Sequence, residues 1–214
     1  MWIFTSLKAV LERALDVVLP RKERSVRIDS IAPEDMHVSP ATHDAGDIRI
    51  TTLMEYRTRA VEDVIRALKY DRSPKAVSVC SEARADYLFE EIAHARAFSA
   101  RPVLIVPVPL HTARERERGF NQIKIVLDAL PKELQELVTQ NALTRTRDTK
   151  QQTRLPRQER LTNVQDAFLA SESVRSARIF LIDDVTTTGT TLLEAARALE
   201  GAGAEVSAIA LARA

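Results

Sequence analysis

Two adjacent carboxylates, Asp183 and Asp184, stand directly before Val185, Thr186, Thr187, Thr188, Gly189, Thr190 and Thr191, in a chain of 214 residues with only 5 glycines. The run before them, Ile179 to Ile182, is apolar and has the makeup of a buried strand. The run after them returns to helical spacing. A strand that turns into a helix leaves the first helical amides without intrahelical acceptors, and the helix dipole adds partial positive charge there. Such a turn cradles an anion. Glycine allows a close backbone approach, and threonine hydroxyls add donors. The turn holds no Lys or Arg, which suits a phosphate monoester held by amides and hydroxyls. Carboxylates repel phosphate but accept well from hydroxyls, so the acid pair fits a sugar diol. Phosphate on one side and a diol on the other describe a ribose 5-phosphate group.

Other readings of the same residues are weaker. Apolar residues ending in Asp-Asp also occur in nucleotidases, but no glycine here is followed by lysine, so their phosphate loop is missing. A receiver domain carries its acidic pair near its first strand, and this pair lies near the end. Helix capping by Thr or Asp accounts for one hydroxyl and leaves the acid pair without a role.

These residues need a scaffold. Residues 48–56 alternate as a strand, 58–71 place Val61, Ile65 and Leu68 on one helical face, and a second helix runs from Pro74 to about Phe98. Residues 101–110 are a continuous apolar run, the mark of a strand buried on both faces. A helix is expected over 120–130, strands over 166–170 and 177–184, a glycine-closed helix over 190–204 and a last strand from 205. Alternating strands and helices predict an α/β fold with a mainly parallel sheet. Residues 142–161 are poor in apolar side chains and long for a structureless loop, which suggests a functional segment.

Domain organisation follows the same pattern. Residues 1–47 read as an N-terminal amphipathic helix and an irregular arm, and residues 48–214 as the main domain. The first helix places Ile3, Leu7, Val10, Leu11, Ala14 and Val18 on one side. Lys8, Glu12, Arg13 and Asp16 interrupt any signal-peptide core or membrane span, so a cytoplasmic, membrane-free protein is expected. Lys and Arg total 31 against 30 acids, which leaves nucleic-acid contact to a local patch. The single cysteine, Cys80, excludes an internal disulfide or a multi-cysteine zinc site. His37 and His43 match no familiar metal spacing.

Several blocks resemble one family. The 179–191 stretch is similar to the ribose-phosphate motif of type I phosphoribosyltransferases. Residues 106–122, "VPVPLHTARERERGFNQ", resemble a hallmark block of the ComF family of phosphoribosyltransferase-like proteins. Thr149, Gln152, Leu155, Arg160, Asn163 and Phe168 match that family's T-x-x-Q-x-x-L…R-x-x-N…F pattern, and "LKYD" at 68–71 resembles its Lys-Tyr-Gly signal with aspartate in place of glycine. The resemblance covers roughly residues 56–214 in the family's order. It implies a type I phosphoribosyltransferase-like fold, Mg²⁺, and 5-phosphoribosyl 1-pyrophosphate (PRPP) or a nucleotide as ligand. By that analogy Asp183 and Asp184 hold the ribose hydroxyls, Thr186 to Thr190 hold the 5′-phosphate, and Pro107, Val108, Pro109 and Leu110 face the pyrophosphate. Mg²⁺ would arrive with the ligand and not on a dedicated protein site. The resemblance also implies a link to natural competence and DNA uptake, with a protein partner from that machinery or single-stranded DNA. A dimer is compatible with it.

Displacement at the anomeric carbon builds positive charge on the sugar and negative charge on pyrophosphate, so cations are needed at the leaving group. Arg114, Arg118 and Lys69 are the candidates, with Arg118 a catalytic candidate beside Asp183 and Asp184. A flap over 145–160 would exclude water and bring in Arg145, Arg147, Lys150 and Gln152. Plainer roles stay open: Arg116 as a solvated helix face, Lys69 paired with Asp71 at the surface, and Asn121 as a helix cap. The family's cysteine-ligated zinc module cannot form with one cysteine. Three functions follow in order: a phosphoribosyltransferase with unknown acceptor, a non-catalytic PRPP or nucleotide sensor, and a single-stranded DNA binder. The chain's hood over an acceptor would have to come from before about residue 60.

Overall fold

A computed structural model describes residues 28–110, 115, 119–146 and 167–214. The expected N-terminal amphipathic helix and most of the 145–160 flap lie outside the described residues.

The described strands are β1 (Ala41–Ala45), β2 (Ile48–Glu55), β3 (Val103–Pro107), β4 (Leu143–Arg145), β5 (Phe168–Ala170), β6 (Arg178–Thr186) and β7 (Glu205–Arg213). The helices are α1 (Arg59–Tyr70), α2 (Pro74–Phe98), α3 (Gln122–Asp128), α4 (Lys132–Gln135) and α5 (Thr190–Gly201). Five strands form one sheet in the order β1-β2-β7-β6-β3, and β4 and β5 form a separate ribbon. β2, β7, β6 and β3 run parallel, and β1 returns antiparallel along β2. The fold is therefore α/β with a mostly parallel, five-stranded sheet flanked by helices, as the alternation predicts.

Local chemistry explains the elements. Pro74 opens α2 and the Ser73 hydroxyl accepts from the Ala76 amide, which joins a proline at the first turn to a side-chain cap. Asn121 caps α3 through bonds from the amides of Ile123 and Lys124, so this helix begins later than residue 120 and ends before residue 130. β6 sends Phe180 and Ile182 into one apolar layer, with Leu53, Leu68, Leu88 and Leu127. It sends Ile179 and Leu181 into the other, with Ile50, Leu192, Ala196 and Leu199. Both faces of the sheet are thus covered, which is why its strands read as unbroken apolar runs.

Two strands lie where irregular chain is expected. β1 falls inside the irregular arm that ends at residue 47, and β4 inside the 142–161 stretch. β1 leaves most of its side chains exposed and is held by main-chain pairing with β2, so no apolar period marks it. β4 is 3 residues long, too short to show alternation. The outer edge of β3 is covered by residues 137–139, which exchange main-chain bonds with Ile105.

The consequence for the site is geometric. β2, β7, β6 and β3 all end on one edge of the sheet. Crossovers on both faces leave a crevice there, the usual place for a ligand in open α/β sheets.

Candidate functional site

β6 carries the acid pair past the point where β3 stops. The last paired residues are Pro107 and Ile182, and the Val108 amide then donates to the Ile182 carbonyl. The loop after β3 is thereby held beside the acids: Pro107 and Val108 are buried, and Pro109 and Leu110 are half-buried. Beyond this point the acids bond the strand's own amides. The Asp184 amide donates to Asp183 Oδ1 at 2.8 Å, and the Val185 amide donates to Asp184 Oδ1 at 2.6 Å.

The two carboxylates have different surroundings. Strand alternation places Asp184 on the face of Phe180 and Ile182, where it is 6% exposed. There its Oδ2 accepts from Gln122 Nε2 at 2.8 Å and from Lys69 Nζ at 2.9 Å. Both Asp184 oxygens are therefore engaged inside the protein. Asp183 keeps partial exposure at the crevice. Burial raises the Asp184 pKa, but the charge and hydrogen bond of Lys69, with Gln122 and the Val185 amide, bring it below the ordinary carboxylate value. Asp183 is pushed up to about 7 by desolvation and by the neighbouring Asp184 charge, against weaker opposing pulls from the Asp184 amide and Lys69.

A further cation lies beneath them. Arg84 on α2 is fully buried, and its three guanidinium nitrogens have no hydrogen-bond partner among the described residues. Burial works against its charge, while Cys80, Asp184 and Asp183 favour it. An unbonded buried charge is costly unless other charges compensate it. Sequence reading did not single out Arg84, because an arginine among the exposed charges of a 25-residue helix looks ordinary. Gln122 was missed for a related reason: its partner lies 62 residues away. Cys80 is buried in α2, and burial pushes its thiol up to about 12, so it acts as a small apolar group.

The turn after β6 follows. Thr186 is the last strand residue and its carbonyl accepts from the Ala214 amide. Thr187 and Thr188 are half-buried, and the Thr188 and Thr190 hydroxyls lie 2.7 Å apart. The Leu193 amide donates to the Gly189 carbonyl at the start of α5, and the first helical amides stand at this end of the helix. Gly189 sits at φ +79°, and a Cβ there would lie 2.5 Å from Ala45 Cβ and 2.6 Å from Ile50 Cδ1. Its bare side faces β1 and β2. Glycine is needed for the backbone angle and for this packing, which is a different reason from close approach of an anion.

Of the expected cations, Lys69 reaches the acid pair, bridging to Asp184 Oδ2. Arg145 is buried in β4, with its guanidinium 5.3 Å from the Phe168 ring centroid, and so belongs to the ribbon. Arg114, Arg118, Lys150, Gln152, Arg116 and Arg147 lie outside the described residues. The two ends of the 147–166 stretch are brought together by β4 and β5, where Arg145 pairs with Phe168 and the Thr146 amide donates to the Ala167 carbonyl. Among the described residues, no group of three or more His, Cys, Asp or Glu converges to hold a metal ion. No described helix is long and apolar enough to cross a membrane.

Comparison with known proteins agrees with this architecture. Residues 116–214 match the family model described as a phosphoribosyl transferase domain. The chain is similar to the DNA utilization protein YhgH of Escherichia coli, with 34% identity over 158 residues that span 73% of this chain and 67% of that protein. It is similar to competence protein ComFC of Bacillus subtilis, with 32% identity over 170 residues spanning 78% of this chain and 61% of that protein. It is also similar to competence protein F of Haemophilus influenzae, with 35% identity over 107 residues, 49% of this chain and 47% of that protein. A parallel sheet with an acid pair and a threonine turn at its carboxyl edge, and relatives matched over most of the chain, place this protein in the phosphoribosyltransferase-domain family of the YhgH and ComF competence proteins.

Proposed function

We propose that the chain binds PRPP, or a related ribose 5-phosphate compound, and transfers its phosphoribosyl group to an acceptor. The observation that carries this reading is the junction at the end of β6. A partly buried carboxylate, Asp183, stands at the end of β6, seven residues before the start of α5 at Thr190. In this reading Thr186 to Thr191 take the 5′-phosphate and ionised Asp183 accepts from the ribose hydroxyls. Asp184 acts from behind, through its bonds to Gln122 and Lys69, and keeps a negative charge under the strand end.

Transfer replaces the bond between the anomeric carbon and the pyrophosphate oxygen with a bond to the acceptor. The bonding electrons leave with pyrophosphate. The residues of the loop after β3, Pro107 to Leu110, border the crevice where that group would lie, and Arg114, Arg118, Lys150 and Gln152 are proposed for the same task. Lys69 contributes its charge from the bridge to Asp184. Mg²⁺ is proposed to come as a companion of the ligand's own oxygens, as in the family resemblance. When bound, it neutralises charge on the departing pyrophosphate.

The arm before residue 60 is proposed as the acceptor's cover. Met36, His37, Thr52, Met54, Arg57 and Arg213 line a cavity of about 680 Å³. It lies at the end of β7, where the Ala214 amide meets the Thr186 carbonyl.

One observation favours a second reading. Lys69 is bridged to Asp184, so its charge is shared with that carboxylate before any leaving group arrives. A pocket that senses PRPP or a nucleotide without turnover fits this. The names of the relatives connect either reading to DNA utilization in one case and competence in the other. Incubating the protein with Mg²⁺, PRPP and a panel of nucleobases and amines decides between them. Pyrophosphate release with one acceptor supports transfer; tight PRPP binding with no release from any acceptor supports the sensor.

A further inference from the structure

Arg72 sits in the turn between α1 and α2 at φ +49°, a left-handed conformation that glycine takes most easily. An arginine held there is doing something with its side chain. Its Nη2 donates to the Gly119 carbonyl at 2.6 Å, and its guanidinium carbon lies 4.2 Å from the centroid of the Phe120 ring. The receiving turn is shaped to match. Gly119 is itself left-handed at φ +77°, and a Cβ there would lie 3.1 Å from Arg72 Nη2. One side chain thus joins two turns 47 residues apart, through a hydrogen bond and a cation–π contact.

The two joined turns lead directly into the Asp184 network. Lys69 lies three residues before Arg72, in the last turn of α1. Gln122 lies two residues after Phe120, as the first residue of α3 after the Asn121 cap. Both donate to the same oxygen, Asp184 Oδ2. The donors come from different helices, and no strand bonds those helices to each other.

We propose that Arg72 is a positioning residue that fixes the end of α1 against the start of α3, so that Lys69 and Gln122 converge on Asp184. It acts through Lys69 and Gln122. Through this network it sets the geometry of the strand end that carries Asp183. Its effect on ligand affinity rests on the reading of that strand end as a ribose-phosphate site; its effect on the Lys69 and Gln122 contacts does not.

The test uses the full chain with Arg72→Ala, Arg72→Gly and Arg72→Lys. Glycine relieves the left-handed backbone, so Arg72→Gly should melt at or above the temperature of Arg72→Ala while losing the same contacts. In the ligand-free proteins, the NMR signals of the Gln122 side-chain amide and the Lys69 ammonium should lose protection from solvent exchange in both variants. Arg72→Lys, which keeps a donor for the Gly119 carbonyl, should restore part of it. PRPP affinity with Mg²⁺ should fall about tenfold in Arg72→Ala and Arg72→Gly alike, independent of melting temperature. Unchanged Gln122 and Lys69 protection in both variants overturns the proposal. Lost protection in a protein whose wild type binds no PRPP keeps the positioning role and rejects the ligand reading instead. Affinity that follows melting temperature, with Arg72→Gly binding normally, reduces Arg72 to a structural residue and also overturns the proposal.

Discussion

Asp183 and Asp184 are neighbours that titrate in opposite directions. Asp184 is held below the ordinary carboxylate value by Lys69 and its other donors, and Asp183, short of a cation of its own, is pushed up to about 7. The folded protein therefore keeps a proton on Asp183 that the unfolded chain loses near pH 4. Between about pH 4 and pH 7 the folded state binds more protons, so this residue lowers stability as pH rises, and the loss levels off above 7. Asp183→Asn should remove that slope, which urea denaturation at a series of pH values will show. Ligand binding should run the other way. Ionised Asp183 is the better acceptor for sugar hydroxyls, so affinity should rise up to about pH 7 in the wild type. The chemical types of these residues were legible in the sequence, since acids before a threonine turn announce phosphate and diol chemistry. Their unequal environments were not. Gln122, Lys69 and Arg84 come from three helices, and only the packed fold brings them under β6.

At the scale of elements, the junction of β6 with α5 was readable because strand, acids, glycine and helix follow one another in sequence. The packing against that junction was not readable. Gly189 looks like an anion-loop glycine, yet its missing side chain faces Ala45 on β1, a strand with no apolar period of its own. Gly189→Ala would combine a left-handed backbone with a collision at 2.5 Å. It should cost about 2–4 kcal/mol, read from the urea midpoint. Stability close to wild type would show that the β1–β2 hairpin is not seated on this turn. The β4–β5 ribbon carries a similar lesson. Phe168 is readable as part of a strand, but nothing in the spacing shows that its partner is Arg145, whose guanidinium lies over its ring.

Among the described residues, the architecture follows from covering both faces of one mostly parallel sheet. α1 to α4 pack on one face and α5 on the other, so the strands' carboxyl ends are the edge at which chain from both layers meets. This much was legible from apolar runs alternating with helical periods, and membership of the phosphoribosyltransferase-domain family agrees with it. The near balance of 31 basic and 30 acidic residues gives no overall field, so the proposed recognition of an anion would rest on groups gathered locally at that edge. A calorimetric titration of the whole chain with PRPP in the presence of Mg²⁺, wild type beside Asp183→Asn, tests this most directly. Saturable binding at one site, weakened about tenfold or more by the substitution, is the predicted result. No binding heat in the wild type, or equal affinity in both proteins, contradicts it.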